Sequence, residues 1–264
     1  MQRLIGLAGL ARSGKDTVAA ILNKNYNTNT MALADPLKQG CQALFGLSDA
    51  ETWQDNLKEQ EILNWKRSPR QLFQEVGTDW MRAFNPEFWL MRADREIINH
   101  STPGIDAEMH PHTFSPAIML ACKHFFGFSN DQLNSSVSAM VSDPFWKICP
   151  FQAYTLIKSL TLRSFPDWNA QREAATIQLP THYPIANTSV QTLVIKDIRF
   201  ENEADFIRSR GGKIWHIKRH KRITVNSHTS EAGIITQRAD YTINNNGTLR
   251  ELEQAVTNLW NACP

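Results

Sequence analysis

The segment "RLIGLAGLARSGKDT", Arg3 to Thr17, limits this chain more than any other. A short apolar run closed by glycine has the pattern of a central, fully buried strand. Gly9-x-x-x-x-Gly14-Lys15 follows it, and "GKDTVAAILNK" then puts Val18, Ile21 and Leu22 on one helical face. Strand, glycine-rich turn and helix stand in the order that a phosphate-binding loop requires. Glycines let main-chain N–H groups converge on phosphate oxygens, and the helix directs its positive end at them. Lys15 then reaches the outer phosphates as a point charge. Gly9, Arg12, Ser13, Gly14, Lys15, Asp16 and Thr17 are therefore the candidate nucleotide-binding residues.

Asp16 departs from the general pattern, in which a hydroxyl follows the lysine and ligates Mg²⁺. A carboxylate is also a hard oxygen ligand, and Thr17 offers a hydroxyl one place later, so Asp16 and Thr17 are the candidate metal ligands. An acid in the first turn of a helix is equally explained by the helix dipole, and the motif leaves both readings open.

Downstream, strands and helices alternate. "NTMALA" reads as a strand, and "DPLKQGCQALFG" as a helix opened by Asp35 and Pro36. "SPRQLFQEVGTDWMRAF" begins with Ser68 as N-cap, and "NPEFWLMRADREIINH" repeats the device with Asn85. Beyond about residue 187 come the strand "VQTLVIKDIRF", the helix "ENEADFIRSRGG", the strands "KIWHIKR" and "DYTI", and the closing helix "GTLRELEQAVTNLW". This alternation predicts an α/β fold with a parallel sheet wrapped by helices, interrupted by a mostly helical insertion. Asp197 and Arg199 lie where a buried strand emerges at its carboxyl end, the place where ligands gather in open parallel sheets. There an aspartate can hold metal-bound water or orient an acceptor, and an arginine can clamp a phosphate. The plainer reading pairs Arg199 with Glu203 at the helix start.

Composition narrows the function classes. A formal charge of +2 over 264 residues gives no general case for nucleic acid or membrane binding. "LIGLAGLA" is too short to span a bilayer. The four cysteines form no C-x-x-C pair, so neither a redox motif nor a zinc knuckle is expected, and a reducing cytoplasm suits them. "HPH" at His110 to His112 has no partner at structural zinc spacing.

The middle of the chain carries an internal repeat. Shifted by 81 residues, Cys41–Phe84 lies over Cys122–Phe165 without a gap, and ten positions coincide, among them Phe45/Phe126, Gly46/Gly127, Trp65/Trp146 and Pro69/Pro150. Chance would give roughly three, so a degenerate duplication is expected, with the second copy folded like the first. The polar residues diverge: Arg70 becomes Phe151, Gly77 becomes Lys158, Thr78 becomes Ser159 and Asp79 becomes Leu160. The second copy is thus expected to be structural or lid-forming and not a second site. In the first copy, Arg70 and Arg82 straddle "EVGTD" and are candidate phosphate ligands, or else solvated helix residues. Trp89, just beyond, is a candidate base-stacking residue or a core tryptophan.

The segments "GLARSGKDT", "LADPLK", "SPRQLFQEVGTD", "PEFW", "IKDIRFENEAD", "GGKIWHIKR", "SHTSEAG" and "DYTINNNGTLREL" together resemble the deoxynucleoside monophosphate kinases of tailed bacteriophages, in the family's order. In that family Asp follows the loop lysine and Thr comes next. The resemblance implies a nucleoside-monophosphate-kinase-like fold that moves the γ-phosphate of ATP to a deoxynucleoside monophosphate with Mg²⁺, in the cytoplasm of an infected bacterium. It implies catalytic roles for Lys15, Arg70, Asp197 and Arg199. On the ATP side it adds Arg219. On the acceptor side it implies Asp35, Lys38, Arg70, Thr78, Asp79, Arg82, Trp89, Arg199, Glu203 and Glu231. It divides the chain into a P-loop kinase core, 1–100 and 187–264, whose part at about 36–100 binds substrate, and the insertion 101–186, which departs from the family pattern. The partners expected are small molecules, without nucleic acid or membrane, and a homodimer is left open. Two rival readings are kept beside it. One is another small-molecule P-loop kinase resembling dephospho-coenzyme A or phosphomevalonate kinases. The other is a P-loop ATPase working on nucleic acid or protein, against which stand the missing acidic pair after Asp197 and the missing N-K-x-D signature.

Overall fold

The computed structural model describes residues 3–10, 12–98, 114–133, 135–173, 191–219 and 233–263. The chain divides into two compact units, Met1–Leu33 with Pro184–Pro264, and Ala34–Tyr183. The division falls after Leu33, so the stretch 36–100, assigned from sequence to the kinase core, shares a unit with 101–183.

In the first unit the strands β1 (Arg3–Ala8), β2 (Thr28–Ala32), β3 (Thr192–Ile198), β4 (Lys213–Lys218) and β5 (Tyr241–Asn244) form one sheet in the order β2-β3-β1-β4-β5. Every neighbouring pair is parallel. β1 is central, with Ile5 opposite Val194 on one side and Leu7 opposite Trp215 on the other. Because side chains alternate along a strand, β1 serves both faces of the sheet. Ile5 and Leu7 share a buried core with Val18, Ile21 and Leu22 of α1 (Lys15–Asn25), and with the Leu252–Val256 face of the C-terminal helix Leu249–Ala262. On the opposite face, Gly6 leaves room for Ile207 of the helix Glu201–Ser209; an added Cβ would come within 2.6 Å of its Cδ1. Sequence alternation thus becomes a parallel sheet covered on both sides.

The β1–β3 register slips between Gly6 and Ala8, which pair with Ile195 and Ile198. The extra residue of β3 there is a bulge, and Asp197 within it takes a left-handed φ of 68°. A non-glycine residue in that region is strained and over-determined by its surroundings, a condition that clusters at functional sites.

The second unit is helical among its described residues. Its first part runs through α2 (Asp35–Phe45), α3 (Asp49–Trp53), α4 (Pro69–Gln74), a π-helical stretch Glu75–Arg82, and α5 (Phe88–Ile98). The α5 start differs from the expected cap: Asn85 accepts from the Glu87 N–H, and the turn delays the helix to Phe88. α6 (Pro116–Phe126), α7 (Asn130–Leu133), a 3₁₀ turn Ser138–Met140, α8 (Pro150–Ser164) and α9 (Trp168–Glu173) follow. The two helices of the first unit already introduced are then α10 (Glu201–Ser209) and α11 (Leu249–Ala262). The helical core is aromatic, built on Phe45, Trp65, Trp80, Phe88, Phe126 and Trp146 with their neighbours. Its centre is the packing of α2 on α6, where Gly40 faces the Phe125 ring so closely that an added Cβ would collide with it.

Candidate active site

The turn between β1 and α1 has the backbone that its glycines anticipate. Gly9 and Gly14 have φ of 153° and 106°, and Arg12 adds a third positive φ of 60°. Gly14 is required twice, because a Cβ there would also strike the Asn245 amide. Ser13 is buried, and its Oγ has no hydrogen-bond partner among the described residues. Such an orphaned buried hydroxyl, inside a ring of positive-φ residues at a helix N-terminus, suits an anionic ligand.

Lys15 is nearly buried, and its Nζ donates to the main-chain oxygens of Gly9 at 2.7 Å and Leu10 at 3.0 Å. It also lies 3.5 Å from Asp197 Oδ1. The other carboxylate oxygen, Oδ2, accepts from Arg199 Nε at 3.0 Å and Nη2 at 2.5 Å. Asp197 therefore ties the loop lysine to the arginine at the carboxyl end of β3, bringing together three residues singled out from sequence. Burial alone would raise the Asp197 carboxyl, but the Arg199 hydrogen bonds and the charges of Arg199 and Lys15 outweigh it and hold it below the usual range. The site thus keeps a fixed anion between two cations.

Asp16 is exposed and pairs with Lys196 of β3 at 3.3 Å. Thr17 is exposed beside it, so the first turn of α1 offers one carboxylate and one hydroxyl to solvent. These are hard oxygens, and Mg²⁺ keeps several waters and needs few protein ligands, so the donor set fits that ion.

Two residues assigned to the acceptor side are used otherwise. Glu203 is buried, and its Oε2 accepts from the Arg199 N–H at 2.9 Å and the Phe200 N–H at 3.2 Å. It caps the start of α10, and the expected Arg199–Glu203 pairing is made through the main chain while the guanidinium turns to Asp197. Trp89 is buried, donates its Nε1–H to Gly77 O at 3.0 Å, and meets Phe88 and Phe125 edge to face. Its ring is occupied by the core, which removes it as a base-stacking platform.

The remaining acceptor-side candidates of the helical unit lie at or near its surface. Arg70, Thr78, Asp79 and Arg82 are exposed, Arg70 paired with Glu59, and the last three belong to the π-helical stretch. Short π-helical insertions are frequent at functional sites because they displace side chains from the regular helical face. Asp35 and Lys38 are half-buried in the first turn of α2, with Lys38 Nζ 4.9 Å from the Trp53 ring centroid. Arg219 is exposed just after β4. Glu231 lies outside the described residues, as do most of "SHTSEAG" and all of "HPH".

Asn245 was missed from sequence. Its N–H donates to Lys218 O at 2.7 Å, and its side-chain amide donates to Ser13 O at 2.8 Å, joining the end of β5 to the phosphate loop. The signal was present as an asparagine run, "INNNG", directly after a predicted strand, but only the sheet order shows which loop it reaches.

A parallel sheet in the order β2-β3-β1-β4-β5, with a glycine-lysine loop leaving its central strand and an Asp-x-Arg at the end of the adjacent one, defines a P-loop phosphotransferase of the nucleoside monophosphate kinase type. The family profile "Deoxynucleotide monophosphate kinase" matches residues 3–62 and 177–256, and the chain belongs to that family. A protein of Acanthamoeba polyphaga mimivirus, to which deoxynucleotide monophosphate kinase activity is ascribed, is 26% identical over 96% of this chain and 93% of its own length. The deoxynucleotide monophosphate kinase of Enterobacteria phage T4 is 25% identical over 97% of this chain and 98% of its own. Both similarities run through most of 101–186, the segment read from sequence as a departure from the family.

Proposed function

We propose that the chain transfers the γ-phosphoryl group of ATP to a deoxynucleoside monophosphate, giving the diphosphate and ADP. The observation that carries this reading is the Asp197 carboxylate, held between Lys15 of the phosphate loop and Arg199 at the carboxyl end of β3.

The acceptor is a phosphate oxygen, already anionic, so the reaction needs no strong general base. One P–O bond forms from that oxygen to the γ-phosphorus as the bond to the β-phosphate oxygen breaks in line. The chain's task is then charge neutralisation and alignment. Lys15, now bonded to Gly9 O and Leu10 O, exchanges those carbonyls for the β- and γ-phosphate oxygens. The main-chain N–H groups of the loop and the buried Ser13 hydroxyl complete the cradle. Arg199 holds the acceptor phosphate, and Asp197 keeps both cations oriented before substrate arrives. Arg219 supplies a further cation to ATP, and Arg70 and Arg82 are the exposed cations that the helical unit offers to a phosphate. Asp16 and Thr17 would hold Mg²⁺, which would neutralise charge on the phosphate chain.

ADP formation measured with each of the four common deoxynucleoside monophosphates and their ribonucleotide equivalents tests the reading. Turnover with one or more of the deoxynucleotides is expected. ATP turnover that responds to DNA or to dephospho-coenzyme A, and to none of the monophosphates, would overturn it.

A further inference from the structure

The helical unit repeats itself in three dimensions down to single hydrogen bonds. α2 ends on Gly46 with φ 66° and ψ 33°; α6 ends on Gly127 with φ 65° and ψ 36°. Two residues on, Ser48 N–H donates to Glu51 and the Glu51 N–H returns to Ser48 Oγ at 3.2 Å. Ser129 and Gln132 make the same exchange, also returning at 3.2 Å. Ile62 N–H donates to Arg67 O at 2.9 Å, and Asp143 N–H to Ile148 O at 3.0 Å. Lys66 and Lys147 share a left-handed conformation, with φ of 49° and 60°. Trp65 Nε1–H donates to Phe45 O and Trp146 Nε1–H to Phe126 O, with ring centroids 5.2 and 5.3 Å apart. All these pairs are related by the same shift of 81 residues. Chance convergence on one left-handed lysine, one indole-to-carbonyl bond and two matched turns at a constant offset is not a physical alternative, since no local rule couples them.

The closing contacts are crossed. Phe165, from the second half, packs on Phe45 at 5.2 Å and Trp65 at 5.8 Å in the first. Phe88, from the first half, packs on Phe126 at 5.2 Å and Trp146 at 4.9 Å in the second. Arg172 donates to Ala43 O at 3.3 Å, and Arg92 donates to His124 O at 2.9 Å; these two carbonyls are again 81 residues apart. Residue i of one half meeting j of the other, while j meets i, is the geometry of an isologous dimer interface.

The halves differ where chemistry is at stake. The first is π-helical over Glu75–Arg82, whereas the second runs through the equivalent residues as the regular α8. The first half holds one residue more by the end of that stretch, so beyond it the shift is 80. Phe88 N–H donates to Asn85 O at 2.9 Å as Trp168 N–H does to Phe165 O at 3.0 Å, and Arg92 corresponds to Arg172, while Phe84 is half exposed. The exposed Arg70 of the first half is Phe151 in the second, and Asp79 is Leu160.

We infer that the helical unit is an internal duplication arranged as a dimer within one chain, with its terminal helices exchanged between the halves, and that the second half is a scaffold closing the core of the first, so that each chain holds one monophosphate and not two. The last clause rests on the acceptor reading above; the duplication does not.

Matched substitutions in the full chain test the architecture. Trp65→Phe and Trp146→Phe each remove one indole-to-carbonyl bond, and Ser48→Ala and Ser129→Ala each remove one cap. Within each pair the fall in Tm is expected to agree to about twofold, near 2–4 °C for a cap. If only one member of both pairs lowers Tm, the halves are not equivalent and the inference fails. Titration calorimetry with dAMP, dCMP, dGMP and dTMP tests the division of labour. One site per chain is expected, with an unchanged KM for the monophosphate in Arg163→Ala, the second-half counterpart of Arg82 at the shift of 81 residues; two sites, or a tenfold higher KM, overturn the scaffold role. Binding of none of the four overturns the acceptor reading itself, and the melting pairs still decide the duplication.

Discussion

Lys15 and Asn245 carry the sharpest expectations about single side chains. Lys15 bonds two carbonyls of its own loop, and losing those leaves the sheet and both hydrophobic clusters untouched. Lys15→Ala is therefore expected to fold normally and to lose phosphoryl transfer by about 10²–10³-fold, the scale of removing one preorganised donor from a developing charge. A coupled ADP assay beside a thermal melt checks both halves of that statement. Asn245 acts through Ser13, whose carbonyl it holds at 2.8 Å, and so positions the loop without touching the reacting atoms. Asn245→Ala strands that carbonyl and loosens the cradle. An unmade bond of this kind costs about 1–3 kcal/mol, so KM for ATP should rise roughly tenfold while kcat falls less. The two residues also differ in how readable they were. Lys15 announces itself by spacing from Gly9 and Gly14, whereas Asn245 sits in a run of three asparagines with nothing local to distinguish one from another.

Among the secondary-structure elements, helix ends were the most legible part of the chain. Ser68, followed by Pro69, begins its helix as the sequence predicts, because a cap is satisfied within three or four residues; Thr248 and Glu251 make the same reciprocal cap at the start of α11. The π-helical stretch Glu75–Arg82 was not anticipated: its sequence reads as a continuation of α4, and the widening reflects tertiary packing, including the Gly77 carbonyl that accepts from Trp89. Trp89 illustrates the same limit: it looked available for a base, and its indole is taken by the Gly77 carbonyl and the Phe125 ring, contacts that local pattern does not reveal. The α2–α6 crossing makes a direct test of packing. Gly40→Ala drives a methyl group into the Phe125 ring, so overpacking should cost about 1–3 kcal/mol. A thermal melt should then fall by roughly 2–12 °C, with the far-UV spectrum unchanged at low temperature.

Among the described residues of the whole molecule, four aspartates are held low by cations: Asp55 by Lys58, and Asp143, Asp197 and Asp240. Burial pushes Asp143 up, but hydrogen bonds from Arg95, the Trp146 N–H and Gln132 overcome it and bring it to about 2. Asp240 is likewise pushed up by burial and pulled below the usual range by Arg208, the Gln237 N–H and His216. A carboxyl depressed in the folded state contributes stability that is fully present above its unfolded value near 4 and is lost as pH falls through the folded one. Burial holds His124 down to about 3, so the unfolded chain binds one more proton than the folded one below about pH 6.5; Tm is expected to fall from about pH 6.5 downward, and to fall further from about pH 4 to about pH 2 as the carboxyls protonate. Asp143→Asn should lower Tm at neutral pH and flatten the acid limb; an unchanged acid limb would assign the acid sensitivity to other groups. No helix among the described residues is long and apolar enough to cross a membrane.

Local pattern alone carried the phosphate loop, the strands of the parallel sheet, most helix starts, and even the repeat in the middle of the chain, because each is written within a few turns of backbone or as a constant offset between residues. The site needed long-range closure. Asp16 meets Lys196 across 180 residues, and Asp197 reaches Lys15 only because β3 lies beside β1 and bulges there. The crossed contacts of Phe88 and Phe165 depend likewise on which apolar surfaces meet, and burial is a property of pairs of surfaces that no single segment contains.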